Sequence, residues 1–166
     1  MENRQNKVDL RQEKKYIISS TEINVFEKKI IGCGFKLNHL PNIINNIYFD
    51  NHIMKSALEN IDGDEKRSKY RIRWYNTDDY FNLERKIKLS SSGYKEKKGL
   101  VSKDYLSAIR EVEEITGQKA VIKNSYFRRY YIKGDFRITI DTDLKFYLPT
   151  SATFKNYTDS IIEMKW

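Results

Sequence analysis

The sequence predicts an α+β domain built on an antiparallel sheet or barrel with flanking helices, and three observations predict it. At least five segments alternate apolar and charged residues with a period of two, as strands with unlike faces do. Two segments repeat apolar residues at helical spacing. Clusters of Ser, Asn, Asp and Gly separate these segments, and the only prolines, Pro41 and Pro149, fall between elements. At 166 residues the chain suits one domain with a core of its own.

Arg11 to Ile18 reads as the first strand. Ser19-Ser20-Thr21-Glu22 then reads as a capping box. It opens a helix that carries Ile23, Phe26 and Ile30 on one side and stops near Gly32 and Gly34. Asn46 to Asp50 is a second strand. Residues 51–66 are polar and loop-like, with a short helix around Met54 to Leu58. Lys69 to Tyr75, Tyr80 to Leu89 and Tyr94 to Lys97 follow as antiparallel strands, with turns at 76–79 and 90–93. Ser102 is placed to cap a second helix, with Leu106, Ile109, Val112 and Ile115 on one face and Gly117 at its end. Val121 to Ile132, Phe136 to Asp141 and Ser160 to Trp166 complete the strands.

Hydrophobic residues make up 39% and charged residues 33%, a globular composition. The net charge is +8, from 31 basic and 23 acidic residues. That favours a polyanionic partner without choosing between nucleic acid, polyphosphate, nucleotide and an anionic membrane surface. Cys33 is the only cysteine, so no internal disulfide forms and a reducing compartment is expected. It reads as a small buried apolar residue. The first ten residues lack the apolar core of a signal peptide, and no apolar run approaches the ~18 residues that a membrane span needs. A soluble, cytoplasmic protein is the expectation.

The charges are not scattered. Lys69, Arg71 and Arg73 point one way while Tyr70, Ile72 and Trp74 point the other. Glu84, Lys86 and Lys88 oppose Leu83, Ile87 and Leu89; Arg137, Thr139 and Asp141 oppose Phe136, Ile138 and Ile140. Glu163 and Lys165 share a face, as do Glu13 and Lys15, and Arg128 shares one with Tyr126 and Tyr130. By itself this pattern fits a half-buried sheet with one solvated face. Three details weigh against that. The face is rich in Arg, whose fork grips phosphate oxygens. Carboxylates recur beside the bases, as a metal–phosphate site requires. The pattern spans many strands rather than one edge. A barrel with these side chains inside would surround a triphosphate, which a single loop or helix end covers only in part.

Other motifs are absent. There is no P-loop. His39 and His52 have no partners at zinc spacing and read as surface or turn residues. Asp62-Gly63-Asp64 lacks the rest of a calcium loop. In the 141–143 segment Asp143 reads as a capping group more than a metal ligand. Tyr126, Tyr130 and Tyr131 suit either base stacking or a barrel wall.

Eight segments in order resemble the VTC (vacuolar transporter chaperone) domain of polyphosphate polymerases, in the CYTH-like triphosphate tunnel superfamily. They are RQEKKY at 11–16, IYFD at 47–50, YRIRWY at 70–75, LERKIK at 83–88, GYKE at 93–96, YFRRY at 126–130, FRITID at 136–141 and IEMK at 162–165. The resemblance covers nearly the whole chain. It implies a tunnel-shaped antiparallel barrel and transfer of the γ-phosphoryl group of ATP to a growing polyphosphate chain. It implies that Lys15, Arg71, Arg73, Lys86, Lys95, Arg128, Arg137 and Lys165 grip phosphates, with Lys97 sharing the face of Lys95. It implies that Glu163 holds Mn²⁺ or Mg²⁺, supported by Glu13 and Glu84. ATP and polyphosphate are the expected partners, with no nucleic acid and no membrane span. In the family a C-terminal helix follows the last strand, and residues 1–166 read as one VTC-like domain without it. Tunnel hydrolases usually begin with E-x-E-x-K; here Arg11 stands in the first Glu position, which favours the VTC branch. A metal-dependent triphosphatase on the same fold and a non-catalytic polyphosphate-binding module are the alternatives, and an RNA-binding β domain ranks last.

Overall fold

The computed structural model describes residues 12–90 and 92–166. In chain order the elements are β1 (Glu13–Ser19), α1 (Ile23–Gly32), β2 (Lys36–Leu37), β3 (Asn42–Asp50), α2 (Lys55–Asp62), β4 (Lys66–Tyr75), β5 (Asn82–Leu89), β6 (Ser92–Gly99), α3 (Tyr105–Thr116), β7 (Lys119–Lys133), β8 (Phe136–Tyr147), β9 (Phe154–Tyr157) and β10 (Asp159–Lys165). The strands form one antiparallel sheet ordered β1-β10-β8-β7-β3-β4-β5-β6, with β2 beside β7 and β9 beside β8. The α+β class and every expected strand are present, most of them longer than expected. The expected start of the first strand at Arg11 lies outside the described residues. The short strands β2 and β9 and a full-length α2 go beyond the expectation; the two strands are too brief for alternation to register.

Cross-strand registers keep the charged positions on one face. Lys15 lies opposite Glu163, Glu163 opposite Thr139, and Arg128 opposite Asp141. Asn46 lies opposite Arg73, and Arg71 opposite Glu84. Because side chains alternate with period two, these residues share a face and their neighbours share the other. That other face is the core. Ile23 and Ile30 of α1 cover Tyr131, Ile138, Ile140 and Ile162. Ala108, Ile109 and Val112 of α3 cover Ile47, Phe49, Ile72 and Leu83. Each such fully buried large side chain contributes roughly 1.5–3 kcal/mol relative to exposure. A smaller apolar cluster of Ile44, Tyr126 and Leu144 sits among the inward positions.

The sheet curls with the charges inside. The Lys86 ammonium on β5 feels Glu13, Lys15, Glu163 and Lys165, which come from the far end of the strand order. Curling is not complete closure: among the described residues no ladder joins β1 to β6, where a closed barrel was expected. Both outer strands carry lysines, Lys14 and Lys15 on one and Lys95, Lys97 and Lys98 on the other, which is how edge strands avoid pairing.

Helix starts differ from expectation in an instructive way. Ser19 caps a 3-10 turn (Ser20–Glu22), accepting from the Thr21 N–H, and α1 follows without a side-chain cap of its own. Helix α3 is capped by Asp104, which accepts from the Ser107 N–H at 2.9 Å. Ser102, the expected cap, lies too far upstream and instead donates its hydroxyl to Glu111 at 2.7 Å. Asp50 accepts from the N–H groups of Ser56 and Ala57 at 2.9 and 3.0 Å, so the buried end of β3 anchors the start of α2. Cys33 is exposed, contrary to expectation, because it lies just past the last residue of α1, where the chain turns away from the helix's buried face. Among the described residues no helix is long and apolar enough to cross a membrane.

Candidate functional site

The middle of the inward face is a buried ion cluster. Pairing of β4 with β5 sets Arg71 directly across from Glu84. Its Nε and Nη2 donate to Glu84 Oε2 at 2.8 and 2.6 Å, while Lys95 of β6 reaches Oε1 at 3.1 Å. Glu84 is 2% exposed. Burial would push its carboxyl up, but Arg71, Arg73 and Lys95 together lower it to about 2. One turn of the alternation away, Arg73 donates to Asn46 Oδ1 at 2.8 Å and to the Tyr126 hydroxyl at 3.3 Å. Asn46 is held in turn by donating to Asn124 at 2.9 Å. Arg73 is thus positioned by neutral groups, and its buried charge is not cancelled by an ion pair among the described residues.

Two further clusters adjoin this one. Arg128 forks onto Asp141 across the β7–β8 ladder, at 2.5 and 2.7 Å. Burial opposes the Arg128 charge, but the hydrogen bonds and the charge of Asp141 outweigh it, so the guanidinium is held more firmly than usual. On β10, Lys165 reaches Glu163 at 2.9 Å and Glu13 of β1 at 3.2 Å. Lys15 lies 3.5 Å from each of the same two carboxylates. Burial works to raise the Glu163 carboxyl, and Lys165, Lys15 and Arg128 lower it on balance.

Lys69, Lys86 and Arg137 have no ion-pair partner among the described residues. Lys69, Lys86 and Lys95 stand in one row, each directly opposite the next across β4, β5 and β6. Like charges placed directly opposite are destabilising. Only Lys95 has an ion-pair partner among the described residues. Burial lowers the ammonium groups of Lys69 and Lys86; Tyr48 opposes this at Lys69, Glu13 and Glu163 oppose it at Lys86, and nearby like charges add to the lowering. Lys69 also lies 6.0 Å over the ring of Tyr48. Burial would raise the Tyr48 phenol, yet Arg71, Lys69 and Arg73 leave it lowered. Arg137 is exposed at the rim and unpaired among the described residues.

All eight cations expected from the sequence therefore lie on the inward face, and Lys95 rather than Lys97 makes the contact with Glu84. The three expected acidic residues do not form one group. Glu13 and Glu163 share Lys165, whereas Glu84 belongs to the Arg71 cluster. Among the described residues no group of three or more His, Cys, Asp or Glu side chains is gathered to hold a metal. Asn46, Tyr48, Tyr126 and Lys69 lie outside the expected set of site residues. Lys69 and Tyr126 do fall on the charged faces read from the alternation, whereas Asn46 and Tyr48 lie on a strand with no charged alternation to mark a face. The alternation gives no reason to rank neutral side chains beside charged ones.

A family model described as the VTC domain matches residues 6–165 of the chain. No curated protein matches it. Among solved structures, a candidate adenylate cyclase from Bacillus halodurans is similar at 17% identity, with a TM-score of 0.58 over 96% of this chain and 81% of that one. A candidate adenylate cyclase from Vibrio parahaemolyticus is similar at 14% identity and TM-score 0.59, covering 93% of this chain and 74% of its own. A third, from Hippeastrum and described as having a dominant triphosphatase activity, has 13% identity and TM-score 0.50, with 96% and 79% covered. At these identities the similarity concerns the fold, that of the CYTH-like tunnel proteins.

Proposed function

The chain belongs to the VTC domain family, and from that premise we propose that it transfers the γ-phosphoryl group of ATP to a growing inorganic polyphosphate chain along the inside of the curled sheet. The observation that carries this reading is Lys69 and Lys86 facing each other, with Lys95 next in the row, beside the buried charge of Arg73; of these only Lys95 has an ion-pair partner among the described residues. A protein that packs such cations together without enough acids to neutralise them is built to receive anions, and an anion with several phosphates matches several cations at once.

The chain's own residues account for most of what phosphoryl transfer needs. That reaction depends on in-line positioning and on stabilising spread-out negative charge. Arg71 and Arg128 engage Glu84 and Asp141 through Nε and Nη2, which fixes each guanidinium and leaves Nη1 to meet a phosphate with little loss of side-chain freedom. Lys69, Lys86 and Arg73 supply charge that is not already spent on an acid, offsetting the repulsion between donor and acceptor phosphates. The acceptor is the terminal phosphate of a polyphosphate chain and is already ionised, so no strong base is required.

A divalent ion would be held where Glu13 and Glu163 converge, with the Lys165 ammonium moved aside. Glu13 and Glu163 both approach the point that the Lys165 ammonium occupies, and carboxylate oxygens are the donors that Mg²⁺ and Mn²⁺ prefer. With two carboxylates in place, the other ligands would be phosphate oxygens and water. Glu84, with both oxygens engaged by Arg71 and Lys95, suits positioning of Arg71 better than metal binding. A bound ion would add positive charge against the phosphate oxygens.

The test is to incubate the purified chain with ATP, a short polyphosphate primer and Mn²⁺ and resolve the products. ADP together with polyphosphate longer than the primer is the expected result. A second reading is hydrolysis of a triphosphate on the same surface. The seam between β1 and β6, which no ladder joins among the described residues, favours it, because the Lys15 side chain there is 58% exposed and water has access. Release of phosphate without polymer would select it, and tight polyphosphate binding without turnover would leave a binding module.

A further inference from the structure

Helix α2 is inside out. A surface helix normally buries its apolar stripe and shows its polar side to water. In α2 the half-buried positions are Ser56, Ala57 and Glu59, whereas Leu58 is 50% exposed and Ile61 is 77% exposed. None of its residues is fully buried. Ile53 and Met54, just ahead of the helix, are exposed as well. Polar groups hold this orientation. Asp50 accepts from the Ser56 and Ala57 N–H groups, and Asn51 Oδ1 accepts from the Lys55 N–H at 3.0 Å. Met54 is held at a φ of 55°, which residues other than glycine rarely adopt. The first turn is thus anchored to the end of β3 with the apolar stripe facing out.

We propose that α2 is a contact between two copies of this chain, which pair antiparallel about a two-fold axis through Leu58 and Ile61. The charges on α2 select that occupant. Lys55 stands at the start of the helix, where the dipole is positive, and Asp62 at its end, where the dipole is negative. Both placements cost stability in a lone helix. Lys55 lies 3.7 Å from Glu59, but Asp62 has no ion-pair partner among the described residues. Lys55, Glu59 and Asp62 recur at helical spacing and flank the Leu58–Ile61 stripe. A second α2 laid antiparallel over the stripe sets Lys55 against the partner's Asp62, twice over by symmetry, as a self-complementary interface requires. A helix that lies on an anionic membrane carries Lys and Arg on its polar side. Here the flank holds two acids and one base. An eight-residue helix is about 12 Å long, too small to bury the ~1,000 Å² of a stable interface by itself, so the dimer is weak and depends on concentration.

Sedimentation equilibrium of the whole chain, from micromolar to near-millimolar concentration, tests the pairing. The parent should pass from monomer to dimer across that range, and Ile61→Asp should stay monomeric throughout. Lys55→Glu and Asp62→Lys should each weaken the dimer about tenfold, because symmetry counts the flanking pair twice. The two changes combined should restore the parent's association. Lys55, Ile61 and Asp62 are exposed, and each charge reversal improves the match to the helix dipole, so a weaker dimer does not report a damaged fold. A parent that stays monomeric overturns the proposal. So does a dimer that Ile61→Asp leaves intact, since the contact then lies elsewhere. A combined variant no tighter than either single change refutes the antiparallel arrangement. A monomeric parent that binds vesicles of mixed phosphatidylcholine and phosphatidylserine, and loses them on Ile61→Asp, assigns the stripe to a lipid surface and overturns the dimer.

Discussion

Replacing Glu84 with Gln probes the centre of the inward face. The carboxylate is 2% exposed and serves Arg71 and Lys95 at once. Its surroundings lower it from an ordinary 4.5 to about 2. At about 1.36 kcal/mol per pH unit, that gap corresponds to ~3 kcal/mol of interaction favouring the charged form. Removing one partner of a buried ion pair costs a similar amount, about 3–5 kcal/mol, because the other charge is left stranded. For a chain of this length each kcal/mol moves the melting temperature by roughly 2–4 °C, so Glu84→Gln should melt about 6–12 °C lower in the absence of ligand. The same change frees two cations. Tripolyphosphate should therefore raise the melting temperature of the variant more than that of the parent. Differential scanning fluorimetry with and without tripolyphosphate reads both effects. A drop under about 2 °C would refute the buried-pair energetics. An equal tripolyphosphate shift in both proteins would refute the view that the Glu84 charge offsets the attraction of Arg71 and Lys95 for phosphate.

Other predictions follow from the same geometry. Because Glu84 is lowered in the folded state, its stabilisation is complete above pH about 4.5 and drains away towards pH 2. Urea unfolding across that window should show a steeper acid loss in the parent than in Glu84→Gln. Lys69→Met removes one of two facing ammonium groups that have no ion-pair partner among the described residues. Without ligand it should be more stable at low salt by up to ~1 kcal/mol, and it should gain less from tripolyphosphate. A variant less stable than the parent would mean that Lys69 has a favourable partner. Asp50→Ala strips the anchor from α2 and should cost roughly 0.5–2 kcal/mol, with faster amide exchange at Ser56 and Ala57. Unchanged exchange there would remove Asp50 from that role.

Much of this arrangement was legible in the sequence, and the reason is geometric. A strand that buries one face must alternate, so the period-two pattern alone puts residues such as Arg71, Glu84 and Arg137 on the charged side of their strands. Alternation does not say which strands are neighbours. It does not show that Arg71 faces Glu84 while Glu163 faces Lys15, and so it does not divide the acids into separate clusters. Nor does it rank neutral side chains: Asn46 and Tyr126 orient Arg73 through hydrogen bonds that depend on three strands meeting. Caps are ambiguous for a different reason. Ser102 and Asp104 are both good capping residues two positions apart, and only the packing of Ala108, Ile109 and Val112 against the sheet decides where α3 begins. Closure is overstated by the same pattern, because lysines on both outer strands resemble an interior as much as an edge.

The central claim is that a phosphate chain lies on the inward face among these cations. Determining the structure with tripolyphosphate bound tests it most directly. The account predicts phosphate oxygens within hydrogen-bond distance of Arg71, Arg73, Lys86 and Arg128, with Lys69 facing the chain. Phosphate found on the outer face near α1 or α3, or an inward face that stays free of it at saturating concentration, would contradict the account.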